Sequence, residues 1–282
     1  MIFEHEIPDN SKLYFLSSAK QKRKIERIAA EILYDNGFEE IVTPLFSYHQ
    51  HQSILDDREL IRVNDTMNHN MTLRADSTID VVRIIDKRLG RNTSHKKWFY
   101  IQPVFKYPST EQYQVGAEFI GQSSLPSVME SAVEIMNALG LNPLVQISNM
   151  QIPVILTKMF DLTLDDFRHI NIEKFLALDI AWLKKLVYLQ NIDELDAILD
   201  IVPGDIKIEL VKMKDLCSGL TCNNVTLSPL YYSKMLYYDE LYFRMIDKNH
   251  LFASGGRYKN NGLISVGYAI YTDTLIQTLT KD

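Results

Sequence analysis

The sequence predicts an α+β fold in which strands and helices share a core and one long helical segment is set between them. Three observations predict it. Residues 19–36 place Ile25, Ile28, Ala29, Ile32 and Leu33 at helical spacing. Residues 99–122, FYIQPVFKYPSTEQYQVGAEFIGQ, read as two strands: Phe99, Tyr100, Ile101, Val104 and Phe105 lie before Pro108, Ser109 and Thr110, and Tyr113, Val115 and Phe119 after. The Pro-Ser-Thr group supplies the turn. Residues 159–202 are rich in leucine at helical spacing, as expected for helices that pack by their apolar faces.

In chain order, Gly37 is a stop for the first helix, because glycine accepts the left-handed backbone with which helices often end. GFEEIVTPLF follows at 37–46, and its Pro44 suits the end of a strand. Ser127 with Glu130, ahead of Val133 and Met136, reads as a capping box opening a helix that ends near Gly140. A mixed core therefore runs to about residue 150, a helical segment from about 152 to 222, and strands and a helix then return. Gly255 and Gly256, in GGRY at 255–258, suit a tight turn with close backbone approach.

Composition narrows the function. With 282 residues, 46% of them hydrophobic, the chain can bury a large core, and its formal net charge of −6 argues against an extended nucleic-acid surface. Lys20, Lys22, Arg23, Lys24 and Arg27 form one dense basic run, read as the solvated face of the first helix rather than a tRNA contact. The N-terminal MIFEHEIPDNSKLYF is acidic and lacks a long apolar run, so neither a signal peptide nor a membrane span is expected, and the location expected is cytoplasmic. Cys217 and Cys222 in CSGLTC have no second pair to complete a zinc site and are read as reduced structural thiols. His49, His51 and His69 lie in a polar stretch, read as an exposed loop rather than a metal site. On the second strand Gln114, Gly116 and Glu118 share one face. The bland reading of the same spacing is a half-exposed polar strand.

Residues 99–122 resemble the second signature motif of class II histidyl-tRNA synthetases, with a shortened loop between the strands. GFEEIVTPLF resembles the first motif, and GGRY with VGYAI at 266–270 the third. LRADSTIDVVR at 73–83 is similar to the family's LRPExT segment, and YSKMLYYDELYF at 232–243 to its LxRGLDYYT segment. The resemblance covers roughly residues 37–279 and implies a class II aminoacyl-tRNA synthetase-like antiparallel sheet flanked by helices. It also implies that residues 1–282 form one catalytic-core-like domain with a helical insertion subdomain at about 152–222.

What the family does with these positions implies two groups. Asp76, Thr78, Gln114, Glu118, Tyr237 and Tyr238 match the histidine-binding positions. Lys106, Arg257 and Thr274 mark a degenerate nucleotide site. Lys106 stands where the family grips the α-phosphate with arginine and lacks its two-pronged donor. Thr274 stands where a second arginine stacks on adenine, with Asp273 before it. Ser233 replaces an arginine near the substrate carboxylate, and a one-residue shift of register nominates Lys234 instead. Pro44 matches the dimer interface.

The chain stops at Asp282 without the anticodon-binding domain of the synthetases, and so resembles the regulatory subunit of the two-component ATP phosphoribosyltransferase. That family implies no catalysis and no cofactor of its own. It implies a short-form catalytic subunit as partner, histidine as allosteric ligand, and a homodimer within a hetero-oligomer that joins ATP to phosphoribosyl pyrophosphate in the first step of histidine biosynthesis. The alternatives are a histidine-activating ligase or divergent synthetase core that leans on Lys106 and Arg257, and a stand-alone amino-acid-binding regulatory module.

Overall fold

A computed structural model describes residues 6–48, 56–260 and 262–280. The chain divides into two compact units, residues 1–121 with 267–282 and residues 122–266.

The first unit opens with helix α1 (Leu16–Asp35), which buries Ile25, Ala29 and Leu33 completely and so uses the predicted apolar stripe. Gly37 ends it at φ +77°, the left-handed conformation expected there. The basic run is exposed at Lys20, Arg23, Lys24 and Arg27. Lys22 departs from that reading: it bonds Glu26 and lies 4.2 Å over the Tyr113 ring. Its long alkyl stem makes such a turn inward inexpensive.

Strands β1 (Glu39–Glu40), β5 (Lys97–Lys106) and β6 (Thr110–Ile120) lie side by side in that order. The predicted hairpin is β5–β6, in unbroken antiparallel register from Lys97↔Phe119 to Lys106↔Thr110. β1 pairs with β5 in parallel, so the sheet is mixed rather than wholly antiparallel. A smaller antiparallel sheet joins β2 (Phe46–Ser47), β4 (Asn70–Leu73) and β3 (Arg62–Asn64). α2 (Thr78–Ile84) follows, continued as a wider π-helical turn over Ile85–Leu89. The chain returns to this unit along the end of β11 (Leu263–Tyr271) and closes with α10 (Thr272–Leu279), which packs on α1 and β6.

The second unit begins with α3 (Pro126–Ala138), and here the expected capping box fails. Pro126 occupies the first helical position, where its fixed φ starts a helix and its missing N–H is not needed. Ser127, one residue inside, donates instead to the Ser124 carbonyl at 2.6 Å. β7 (Leu144–Asn149) and the helices α4 (Gln151–Met159), α5 (Leu164–Arg168), α6 (Ile172–Ala177), α7 (Ala181–Tyr188), α8 (Leu195–Leu199) and α9 (Gly204–Ser218) come next. Their inward faces supply Leu156, Phe167, Phe175, Leu183, Ile206 and Leu210 to the core.

β8 (Val225–Leu227), β9 (Tyr238–Asp247) and β10 (His250–Asn260) complete this unit, in the order β10-β9-β7-β8 with β7–β8 parallel. Gly255 and Gly256 are not a turn; both lie inside β10, paired with Phe243 and Tyr242 of β9. The close approach is nevertheless real, since a Cβ on Gly256 would meet the Leu241 carbonyl oxygen at 2.6 Å.

Candidate functional site

The residues singled out by the sequence fall into two groups, one in each unit. In the first unit the β5–β6 register sets Gln102 opposite Gln114 and Tyr100 opposite Gly116. Because Gly116 has no side chain, the Tyr100 ring crosses the space where its Cβ would stand 2.1 Å from Cζ. The ring thereby reaches Glu118, whose side chain is completely buried, and its hydroxyl donates to Oε1 at 3.4 Å. Thr78 Oγ1 lies 3.4 Å from the same hydroxyl. Gly267 leaves the carboxylate its room: a Cβ there would stand 1.8 Å from Glu118 Oε2.

Asp76 is buried at the mouth of α2, where its Oδ1 accepts the Ile79 amide at 3.0 Å. That bond satisfies one of the helix's orphan donors and fixes the carboxylate's aim. Burial, then the charges of Glu118 and Asp76, push the Tyr100 hydroxyl well above its ordinary pKa, so it stays protonated as a donor. The structure thus brings Asp76, Thr78 and Glu118 together around Tyr100, a residue whose only signal in the sequence is that of a strand former. Gln114 is buried on the same face and bonds Gln112 at 3.4 Å. Two carboxylates and a threonine hydroxyl offer acceptors that suit the three donors of a primary ammonium group.

Arg74, also missed from the sequence, braces this group. Only 1% exposed, it donates to the carbonyls of Thr43, Pro44 and Pro103 and to Thr43 Oγ1 at 2.8–3.1 Å. Gln102 adds a second tie, accepting from Thr43 and donating to Ser77 Oγ at 3.1 Å. The loop that carries Pro44 is therefore bonded to β5 and to the residues flanking Asp76. Pro44 itself is exposed, and around it stand Val42, Leu45, Phe46 and Tyr48, between 47% and 81% exposed. Contiguous exposed apolar side chains of this size are the kind of patch at which protein contacts form.

Two of the nucleotide positions also lie in the first unit. Lys106 donates to Glu59 Oε2 at 2.5 Å. Thr274 sits in α10, its carbonyl accepting the Thr278 hydroxyl. Neighbouring Asp273 accepts the Tyr14 hydroxyl at 2.5 Å and the Tyr113 amide at 2.9 Å, so it ties the segment before α1 to α10. Burial raises the pKa of Asp273, and with the Asp273 bond it raises that of Tyr14 also.

In the second unit Tyr237 and Tyr238 belong to an aromatic cluster. Their rings are 4.7 Å apart, and Tyr258 packs edge-on at 5.7 Å from Tyr237. Tyr238 is a core residue that also meets Tyr242, whereas Tyr237 is half-buried and is the one able to meet a ligand. Arg257 of β10 donates to Asp239 Oδ1 at 2.7 Å and lies 3.4 Å from Glu240. Glu240 in turn pairs with Lys212, and Lys212 with Glu209. Burial raises the Asp239 carboxyl, against the pull of Arg257. Ser233 is buried with its Oγ accepting the Met235 amide, while Lys234 is exposed.

Among the described residues no group of His, Cys, Asp and Glu is arranged to hold a metal, and no helix is long and apolar enough to cross a membrane. His69 is exposed and bonds Asp65, while His49 and His51 lie outside the described residues. Cys217 and Cys222 are free thiols. Burial, with Cys222 nearby, pushes the Cys217 thiol up to about 11. Only the thiolate attacks alkylating agents, so Cys217 in the folded chain is expected to react with iodoacetamide at pH 8 at least tenfold more slowly than a free thiol, by roughly the thiolate fraction lost. Equal rates before and after unfolding would refute this.

The chain has relatives that match it along nearly its whole length. Residues 14–275 match the family model described as histidyl-tRNA synthetase. An ATP phosphoribosyltransferase regulatory subunit of Wolinella succinogenes is 44% identical over 100% of this chain and 98% of its own length. One of Helicobacter hepaticus is 41% identical over 99% of each. Among solved structures, an ATP phosphoribosyltransferase regulatory subunit/histidyl-tRNA synthetase from Bacillus halodurans superposes with a TM-score of 0.86 at 20% identity, over 100% of this chain and 84% of that one. A chain of the ATP phosphoribosyl transferase (HisG:HisZ) complex from Thermotoga maritima gives 0.68 at 20% identity, over 92% and 98%.

Proposed function

This chain belongs to the ATP phosphoribosyltransferase regulatory subunits, on a histidyl-tRNA synthetase-like fold, and from that premise we propose that its regulatory ligand is histidine. It is a regulatory subunit of ATP phosphoribosyltransferase, not itself the catalyst. The observation that carries the ligand assignment is the buried Glu118 carboxylate, framed by Tyr100, Thr78 and Asp76. Two acidic side chains held close together out of water suit an amino acid's α-ammonium, whose charge offsets part of the cost of burying theirs.

By contrast Thr274, where the synthetases use an arginine, supplies no charge for a polyphosphate. The chain works as a homodimer through the exposed row around Pro44, in the cytoplasm, with the short-form catalytic subunit as its partner. Feedback follows if histidine binds one of two states of the assembly more tightly than the other, since a ligand shifts an equilibrium only by its differential affinity.

Calorimetric titration with histidine and, separately, ATP with magnesium tests this, followed by phosphoribosyl-transfer assay after adding the catalytic subunit. Wild type is expected to bind histidine, to ignore ATP and to activate its partner. Glu118→Gln keeps the shape but removes the charge, and is expected to weaken histidine binding by about thirtyfold or more, the low end of what a broken buried charge pair costs. ATP binding with release of pyrophosphate would restore the ligase reading, and histidine binding untouched by Glu118→Gln would remove the site.

A further inference from the structure

The GGRY arginine has kept its guanidinium fork, which makes it the best handle for a nucleotide that the sequence retains. The structure shows what that fork holds. Arg257 bonds Asp239 at 2.7 Å and lies 3.4 Å from Glu240, both at the start of the neighbouring strand β9. Its side chain is only 17% exposed. Glu240 and Glu209 share Lys212, so the linked group has three carboxylates against two cations and carries a net −1. A polyphosphate approaching Arg257 meets a negative field and an acceptor already in place.

We propose that Asp239 is a selectivity residue: it holds the Arg257 guanidinium from within and thereby bars phosphate-bearing anions from it. The physical basis is competition with a tethered group. A carboxylate fixed beside its partner acts at an effective concentration of millimolar or more, which a dilute anion has to exceed before it displaces it. Bidentate guanidinium recognition also needs two adjacent N–H groups, and carboxylates already lie at Nη1 and Nε, so that each fork has one donor engaged. The first unit repeats the device in a weaker, half-exposed form, where Glu59 bonds Lys106.

The proposal rests on the reading of this chain as an amino-acid-responsive subunit and explains how an arginine survives there without drawing in ATP. Its test uses the full chain and inorganic pyrophosphate as probe. Calorimetry on wild type is expected to show only weak binding, at millimolar or above. The isosteric pair D239N/E240Q removes two negative charges without removing bulk, and is expected to gain pyrophosphate affinity by about tenfold or more over wild type. Adding R257Q is expected to abolish that gain.

A D239N/E240Q chain with unchanged circular dichroism and thermal midpoint that binds pyrophosphate no better than wild type overturns the proposal, as does a gain that survives R257Q. If the double variant does not fold, D239N alone carries the same comparison. Histidine titration and partner activation are read separately on wild type. Their failure strikes the proposed function and leaves the pyrophosphate comparison intact.

Discussion

A Gly267→Ala chain is expected to lose histidine binding. The added methyl would stand 1.8 Å from Glu118 Oε2 and 2.7 Å from the Ala117 carbonyl oxygen, well inside any real contact. The backbone oxygen belongs to the long, regular strand β6 and can yield little, so the carboxylate has to swing away from Tyr100. Forced overpacking of this kind costs typically ~1–3 kcal/mol of stability, while displacing the charge proposed to meet the α-ammonium is expected to lower affinity by about thirtyfold or more. Thermal unfolding and histidine calorimetry measured together separate the two effects. Glu118→Gln is expected to lose binding with stability little changed, and Gly267→Ala to lose both. Full histidine affinity in Gly267→Ala would mean that Glu118 does not hold the ligand.

Arg74→Met is expected to have the largest effect on stability. The arginine is buried to 1% and donates to three backbone carbonyls and a hydroxyl. Burial lowers its pKa, opposed by the charges of Tyr100 and Asp80. Methionine fills similar volume but leaves the carbonyls of Thr43, Pro44 and Pro103 without this donor in a dry interior, at ~1–3 kcal/mol for each group left unpaired. A total loss of about 3–5 kcal/mol is expected, enough to unfold a marginal domain. Denaturant unfolding at unchanged slope measures it. The loop carrying Pro44 loosens with it, so size-exclusion chromatography should show the proposed homodimer failing before the fold does. A shift below about 1 kcal/mol would demote Arg74 to ordinary packing.

The difference between what could be read from the chain and what could not lies in sequence distance. Helix α1 was legible because its apolar residues recur within a single element, and the hairpin because its turn formers stand between two aromatic runs. Glu118 was legible since alternation along one strand assigns its face. Tyr100 was not, because its partnership with Glu118 depends on the register that sets it opposite Gly116. Arg74 has its acceptors about thirty residues away on either side, and nothing local announces them. The pairing of Asp239 with Arg257 joins two strands in the same way.

The misreadings have the same root. Two adjacent glycines signal a turn or a crowded strand equally well, and only Leu241 across the ladder tells which. Ser127 and Glu130 have the spacing of a capping box, but Pro126 had already begun the helix. Lys22 is charged like its neighbours, and only the position of the Tyr113 ring draws it out of the exposed face.

The fit between Gly267 and Glu118 also acts on descent. While a glutamate stands at 118, no side chain can be accepted at 267, because even a methyl group collides with the carboxylate. Shortening 118 would remove that collision but not the one with the Ala117 carbonyl oxygen, 2.7 Å from the same Cβ, so the demand for glycine at 267 outlasts the glutamate. The dependence therefore runs one way: the glutamate at 118 is expected only where 267 is glycine, while 267 stays glycine even where 118 has changed. A relative bearing any residue other than glycine at the equivalent of 267 is expected to have given up its glutamate as well, and with it the amino-acid site proposed above.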